Sequence, residues 1–218
     1  MSGWIELQPT RHQVAIYGRV SDAATGLAIH GAVVETIQMP EAFKTGLALR
    51  SLQYGSDWAS MTDRPDRKRS AVDGYFYFLD LPNGDYTLMA SLPHAGNRYN
   101  PSEPVTVTVD RKPSDNIERV MVDISLVPTA VKGQITDAAD MTPVMMAKIQ
   151  LEASSQSTFS DRKGNYLLSN LETAKPPSNR TVNVTVSAPG YQSTSKSIDL
   201  VRGQIKNLNF SVTPLATN

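Results

Sequence analysis

The stretch Asp73-Gly74-Tyr75-Phe76-Tyr77-Phe78-Leu79-Asp80-Leu81-Pro82-Asn83-Gly84-Asp85-Tyr86-Thr87-Leu88 is two short alternating apolar runs joined by a turn. A shorter form of it returns as Asp161-Arg162-Lys163-Gly164-Asn165-Tyr166-Leu167-Leu168-Ser169-Asn170-Leu171. In both, a Gly is followed at fixed offsets by an aromatic, an apolar residue and a Leu: Gly74, Phe76, Phe78, Leu81 and Gly164, Tyr166, Leu168, Leu171. A spacing of two puts the aromatic and the apolar residue on one face of a strand, with the Gly supplying the turn before it.

A second motif repeats in the same order. Val14–Val20 alternates as a half-buried strand, and Gly18-x-Val20-x-Asp22 matches Gly133-x-Ile135-x-Asp137. The following strand pairs Ala32-x-Val34 with Ala147-x-Ile149, and Ser91-Leu92-Pro93 matches Ser187-Ala188-Pro189. Two independent motifs in one order mean an internal duplication. Further alternating runs at 105–109, 120–126, 182–186, 198–200 and 208–212 fill out each copy with short strands and Gly/Pro/Asn/Asp turns. That pattern predicts an all-β chain of two tandem Greek-key β-sandwiches. The predicted divisions are an N-terminal arm at 1–13, a first sandwich at 14–128 and a second at 130–215. Pro128 and Thr129 are all that separates the copies, which predicts two stacked modules rather than beads on a flexible string.

The copies differ in length. Gly18 precedes Gly74 by 56 residues and Gly133 precedes Gly164 by 31, so the first copy carries an insertion, placed at 38–70. Pro40 fits the first turn of a short helix with Phe43, Leu47 and Tyr54 on one stripe, although Gly46 weakens it. Asp63-Arg64-Pro65-Asp66-Arg67-Lys68-Arg69 reads as a polar loop of net charge +2.

Bulk properties exclude several classes. Among 218 residues, 21 basic and 21 acidic side chains cancel, so no global field draws the chain to nucleic acid or an anionic membrane. With 40% hydrophobic and 19% charged residues the composition is globular. There is no cysteine, which removes disulfides, thiol nucleophiles and cysteine metal sites. Neither a secretory signal nor an apolar run of ~20 residues is present, so a cytoplasmic protein, incorporated in a large particle, is expected, without membrane insertion.

The order Gly-x-Val-x-Asp, Thr-Gly, Gly-Ala-x-Val and Asp-Gly-x-Phe-x-Phe-x-x-Leu-Pro-x-Gly-x-Tyr-x-Leu resembles the carboxypeptidase regulatory-like domain. The resemblance implies a transthyretin-like (prealbumin-like) β-sandwich. It covers 14–37 and 73–93 in the first copy. The second, at 131–214, keeps the opening, the core motif and Ser187-Ala188-Pro189-Gly190-Tyr191, but has Ala174-Lys175-Pro176-Pro177-Ser178 in place of the Pro-x-Gly-x-Tyr element. The resemblance implies no catalytic residue, since such modules are accessory. Similar modules accompany cap and baseplate proteins of contractile, phage-tail-like injection systems, and a structural or adaptor subunit of that kind is the specific expectation. A carbohydrate-binding or cell-surface accessory module is the alternative.

No residues assemble into a predicted catalytic, cofactor or metal site. His12, His30 and His94 have no ligand spacing, and no Gly-x-Ser-x-Gly occurs. Asp22, Asp73, Asp80, Asp85, Asp137, Asp140 and Asp161 offer oxygens for calcium, but turn formation accounts for them more simply. The sequons at Asn179, Asn183 and Asn209 read as chance.

Two surfaces remain. Tyr75 and Tyr77 lie opposite Phe76 and Phe78, so if the phenylalanines are core the tyrosines line an outer face: a platform for a glycan, or packing for a neighbour. Tyr99 and Tyr191 are further exposed-aromatic candidates. A loop of ~33 residues between strands far exceeds the 2–5 of hairpins and is expected to carry function. Its Phe43, Leu47, Leu52, Tyr54 and Trp58, rimmed by Arg64, Arg67 and Arg69 (with Lys68 between them), either bind another protein subunit or fold back over their own sandwich.

Overall fold

A computed structural model describes residues 12–110, 118–152, 154–174 and 179–216. Most of the expected arm, 1–11, and 175–178 of the substituted hairpin lie outside them. The chain divides into two compact units: Met1–Ser21, Ala28–Ala90 and Glu103–Ile124 make the first, and Asp22–Leu27, Ser91–Ser102 and Ser125–Asn218 the second. No described helix is long and apolar enough to cross a membrane.

In the first copy the strands are β1 (Val14–Asp22), β2 (Val33–Gln38), β3 (Arg67–Arg69), β4 (Tyr75–Leu79), β5 (Gly84–Ser91), β6 (Val105–Val109), β7 (Val120–Met121) and β8 (Ile124–Leu126). One sheet runs β4-β1-β7 with β8 also on β1, the other β3-β2-β5-β6. Period-two alternation decides what faces inward. On β4, Phe76 and Phe78 are buried while Tyr75, Tyr77 and Leu79 face out, and on β5 Tyr86, Leu88 and Ala90 are buried. Phe76 and Phe78 meet edge to face at 6.1 Å. Burying each such side chain contributes about 1.5–3 kcal/mol, which is why this motif decides the fold.

The second copy repeats the plan with β9 (Ala130–Asp137), β10 (Lys148–Leu151), β11 (Ser157–Phe159), β12 (Asn165–Leu168), β13 (Arg180–Ser187), β14 (Thr194–Leu200), β15 (Ile205–Asn207) and β16 (Phe210–Val212). Its sheets are β12-β9-β15, with β16 also on β9, and β11-β10-β13-β14. Ile135, Ile149, Leu151, Tyr166, Leu168, Val184 and Phe210 are among its core.

Both copies break their last strand at the same place. The run at 120–126 is two strands, not one, because the chain crosses the first strand at a glycine. A Cβ on Gly18 would stand 1.7 Å from Val122 O, and one on Gly133 2.1 Å from Leu208 O. At the break a side chain replaces the backbone acceptor: Arg19 N–H donates to Asp123 Oδ1 and Gln134 N–H to Asn209 Oδ1, both at 2.9 Å. The Gly of the opening motif therefore marks a close crossing of backbones.

Candidate functional site

The insertion sits in a hairpin connection. β2 pairs with β3 antiparallel, Val33 opposite Arg69 and Glu35 opposite Arg67. The equivalent β10–β11 hairpin closes through residues 152–156, whereas the first copy spends residues 39–66 on the same link. The polar loop expected at Asp63–Arg69 is thus corrected: its last three residues are a strand of the sandwich. The signal was in the sequence. Ser70 and Ser160 both stand four residues before the repeated Gly. Ser70 Oγ accepts from Ala32 N–H and donates to Ile29 O, as Ser160 does with Ala147 and Val144.

The connection carries α1 (Glu41–Tyr54) and α2 (Asp57–Ser60). Pro40 precedes the first turn, its carbonyl accepting from Phe43 and Lys44 N–H. No residue of α1 is buried. Phe43 tethers it edge-on to Tyr86 at 5.8 Å, and Leu47 is half-buried. Leu49, Leu52 and Tyr54 are 65%, 80% and 47% exposed. Tyr54 stacks on Trp58 at 5.9 Å, and the Arg64 guanidinium stands 5.0 Å from the Trp58 ring centre.

Two of the three arginines expected as a polar rim are used inside the unit. Arg64 is largely buried, donating to Asp66 Oδ2 at 2.9 Å and to Trp58 O at 3.3 Å. Arg64 Nε and Asp66 Oδ1 are buried without a partner. Arg67 pairs with Glu35 and reaches the carbonyls of Ala59 and Met61, lashing α2 to β2. Lys68 pairs with Asp63. Arg69 alone is exposed, with no ion pair among the described residues. The two sequence readings of the insertion therefore divide along it: Phe43 and Arg67 hold it to its own sandwich, Trp58 and Arg64 pack within the insertion, and Leu49, Leu52 and Tyr54 are exposed.

Two cavities flank α1. One, of about 320 Å³, is lined by Ala42, Phe43, Gly46, Leu47, Pro65 and Pro82 with Arg50. The other, of about 330 Å³, shares Phe43, Arg50 and Pro65 and adds His12, Asp63, Arg64, Lys68, Leu79 and Asp80. They form one groove, apolar on one side and charged on the other.

Tyr75 and Tyr77 are on the outer face, 37% and 48% exposed, their ring centres 6.4 Å apart and their planes 20° from parallel. Tyr17 stands opposite Tyr77 on β1, a neighbour the strand pattern alone did not supply. Tyr99 and Tyr191 are not part of any exposed platform, and that expectation is corrected. Tyr99 is buried with its hydroxyl on Asp22 Oδ2 at 2.7 Å, and Tyr191 donates to Asp137 Oδ2 at 3.1 Å. Burial first, then the Asp22 carboxylate, holds the Tyr99 phenol above its ordinary range; for Tyr191 the bond to Asp137 leads.

The turn aspartates are occupied with backbone. Asp22 Oδ1 accepts from Ala24 and Thr25 N–H, Asp73 from Tyr75, Asp137 from Ala139, and Asp161 from Lys163 and Asn165. Asp80 accepts from Gln13 N–H and pairs with His12; Asp85 and Asp140 accept threonine hydroxyls. Among the described residues no three His, Asp or Glu side chains converge as a metal site. Asn183 and Asn209, within sequons, have their side chains on Glu152 and on Gln134 N–H.

No curated protein matches the chain. Among solved structures, the shaft pilin SpaA of Lactobacillus rhamnosus GG is 12% identical with a TM-score of 0.39, over 94% of this chain and 100% of that one. A streptococcal ancillary pilin is 12% identical with a TM-score of 0.41, over 94% and 70%. A minor pilin of Streptococcus agalactiae is 10% identical with a TM-score of 0.29, over 93% and 97%. At such values these likenesses establish neither family nor function. Residues 130–213, which hold the second copy of the motif, match the carboxypeptidase regulatory-like domain.

Proposed function

We propose that the chain is a non-catalytic structural subunit that works by binding other proteins through its inserted helix. The observation that carries this reading is α1 itself: a helix inserted in a hairpin that its sister closes with residues 152–156, presenting Leu49, Leu52 and Tyr54 outward. A helix with no buried residue adds little to its own domain, and exposed leucines beside an aromatic suit a partner. The narrower expectation, a cap or baseplate part of a contractile injection particle inside the cytoplasm, draws no support from the family match or the pilin likenesses.

The sister hairpin supplies the test. Replacing residues 39–66 with residues 152–156 removes both helices while keeping β3. The variant is expected to lose the helical part of its circular dichroism, to keep its β-sheet signal and melting behaviour, and to lose its partners in cross-linking and co-purification. Partners retained at wild-type levels overturn the reading. Fractionating the producing cells locates the complex.

A second reading, a glycan-binding accessory module at a cell surface, rests on the exposed, near-parallel rings of Tyr75 and Tyr77. It predicts polysaccharide retention that is lost in Tyr75→Ala and Tyr77→Ala, with the hairpin replacement unaffected.

A further inference from the structure

The groove beside α1 has a feature that packing does not require. Gly46 is in the middle of a helix, where glycine is unfavourable, and a Cβ there would meet nothing within 4 Å. A larger side chain fits the fold and would project into free space next to the groove that Gly46 lines. Phe43, Leu47, Pro65 and Pro82 complete the apolar wall. The volume of about 320 Å³ suits one or two apolar side chains, and it continues into the charged half through Arg50.

The charges in that half are matched with one exception. Asp63 pairs with Lys68, Asp80 with His12, and Arg64 with Asp66. Arg50 lines both halves, and its side chain has no ion pair or hydrogen bond among the described residues. A guanidinium at the border of an apolar groove selects a ligand with a carboxylate beside an apolar group.

We propose that this groove is the docking site for a partner protein's peptide segment in which an apolar side chain adjoins an aspartate, a glutamate or a C-terminal carboxylate. The apolar side chain enters between α1 and Pro65/Pro82, and its carboxylate meets Arg50. The proposal rests on the reading that the chain acts through protein contacts, and it moves the contact from the outer side of α1 into the groove.

The full chain is panned against displayed random heptapeptides, and enriched sequences are synthesised and titrated by fluorescence polarisation. Peptides with an apolar residue next to Asp, Glu or a free C-terminus are expected to dominate. Their affinity is expected to fall about tenfold or more in Gly46→Leu, which crowds the groove from its Gly46 side, and in Arg50→Glu, which reverses its charge. Both changes are at exposed or open positions, and melting curves confirm that the variants fold. Failure to enrich any peptide, enrichment without an acidic or C-terminal carboxylate, or undiminished binding to Gly46→Leu overturns the proposal. If binding is lost instead in Leu49→Ser and Leu52→Ser, the contact reading stands and the groove is not its site. Dodecanoate, the same chemistry from a lipid source, is titrated in parallel; its binding in the absence of any enriched peptide also overturns the assignment to a protein partner.

Discussion

The hydroxyl of Tyr99 donates to Asp22 Oδ2 at 2.7 Å across 77 residues of sequence, and Tyr191 repeats the bond to Asp137 at 3.1 Å. In each copy the aspartate's other oxygen caps the turn after the first strand, so one carboxylate joins a local turn to a distant tyrosine. Both aspartates are buried, but Tyr99 is buried as well whereas Tyr191 is partly exposed. Tyr99→Phe leaves a buried carboxylate oxygen short of a donor and is expected to destabilise by about 1–3 kcal/mol, while water replaces the lost donor in Tyr191→Phe, which loses less than about 1 kcal/mol. Urea unfolding of the two variants checks the order.

The glycine crossings are a second test. Gly18→Ala and Gly133→Ala place a methyl against a carbonyl oxygen of the last strand, at 1.7 and 2.1 Å. The backbone on the other side is held by Val122 N–H on Tyr17 O and Leu208 N–H on Lys132 O, so neither strand withdraws freely. Each is expected to cost about 1–3 kcal/mol or more, read from denaturant midpoints.

The two copies also disagree about glycine. Gly26 and Gly31 have φ of 71° and 74°, and their counterparts in the second copy are Met141 and Met146, with φ of 63° and 59°. A side chain in the left-handed region is strained, and both methionines are exposed, so little packing compensates. Met141→Gly and Met146→Gly are expected to stabilise the protein by about 0.5–1 kcal/mol each, seen as higher melting temperatures.

Gly46→Ala is expected to stabilise by a similar ~1 kcal/mol, because the new methyl meets open space and the helix loses its most flexible residue. The measurement is the same melting curve, alongside helicity by circular dichroism.

One pH dependence follows from Glu152. Asn183, Thr185 and Ser195 all donate to its carboxylate, and the bond from Asn183 leads in holding its pKa below the ordinary 4.5. A depressed pKa stabilises the fold above the unfolded value and loses that contribution as pH falls through the folded one. Wild-type stability is therefore expected to decline below about pH 4.5 more steeply than that of Glu152→Gln, read from urea midpoints between pH 3 and 6. Equal slopes would remove the role assigned to this carboxylate.

Much of the scaffold was legible because its signals are local. Alternation on β4 and β5 identifies the faces, and the repeated Gly, aromatic and Leu offsets align the copies. The insertion was legible as a surplus of length; of the stripe read as Phe43, Leu47 and Tyr54, the first two are partly buried and Tyr54 is exposed. What stayed hidden depends on contacts that only the folded backbone sets up, whether the partner is near in sequence, as Asp66 is to Arg64, or far, as Glu35 is to Arg67. Arg67–Arg69 looks like a charged loop, since a three-residue edge strand has no periodicity and takes its identity from β2. Arg64 and Arg67 look like a free rim until Asp66, Glu35 and Trp58 come within reach. Tyr99, between Arg98 and Asn100, reads in sequence as a surface ring, and only the position of Asp22 makes it an anchor.

The sequence by itself determined two duplicated sandwiches, the hydrophobic residues that fill them, and the place where one copy departs from the other, because those follow from chain-local periodicity and spacing. Only the tertiary structure decided which polar groups are consumed and which are left over. Hydrogen bonds and ion pairs are settled by distances of about 3 Å between residues dozens of positions apart. That accounting leaves Arg50, Leu49, Leu52 and the space over Gly46 free, and it is where the function of this chain is to be sought.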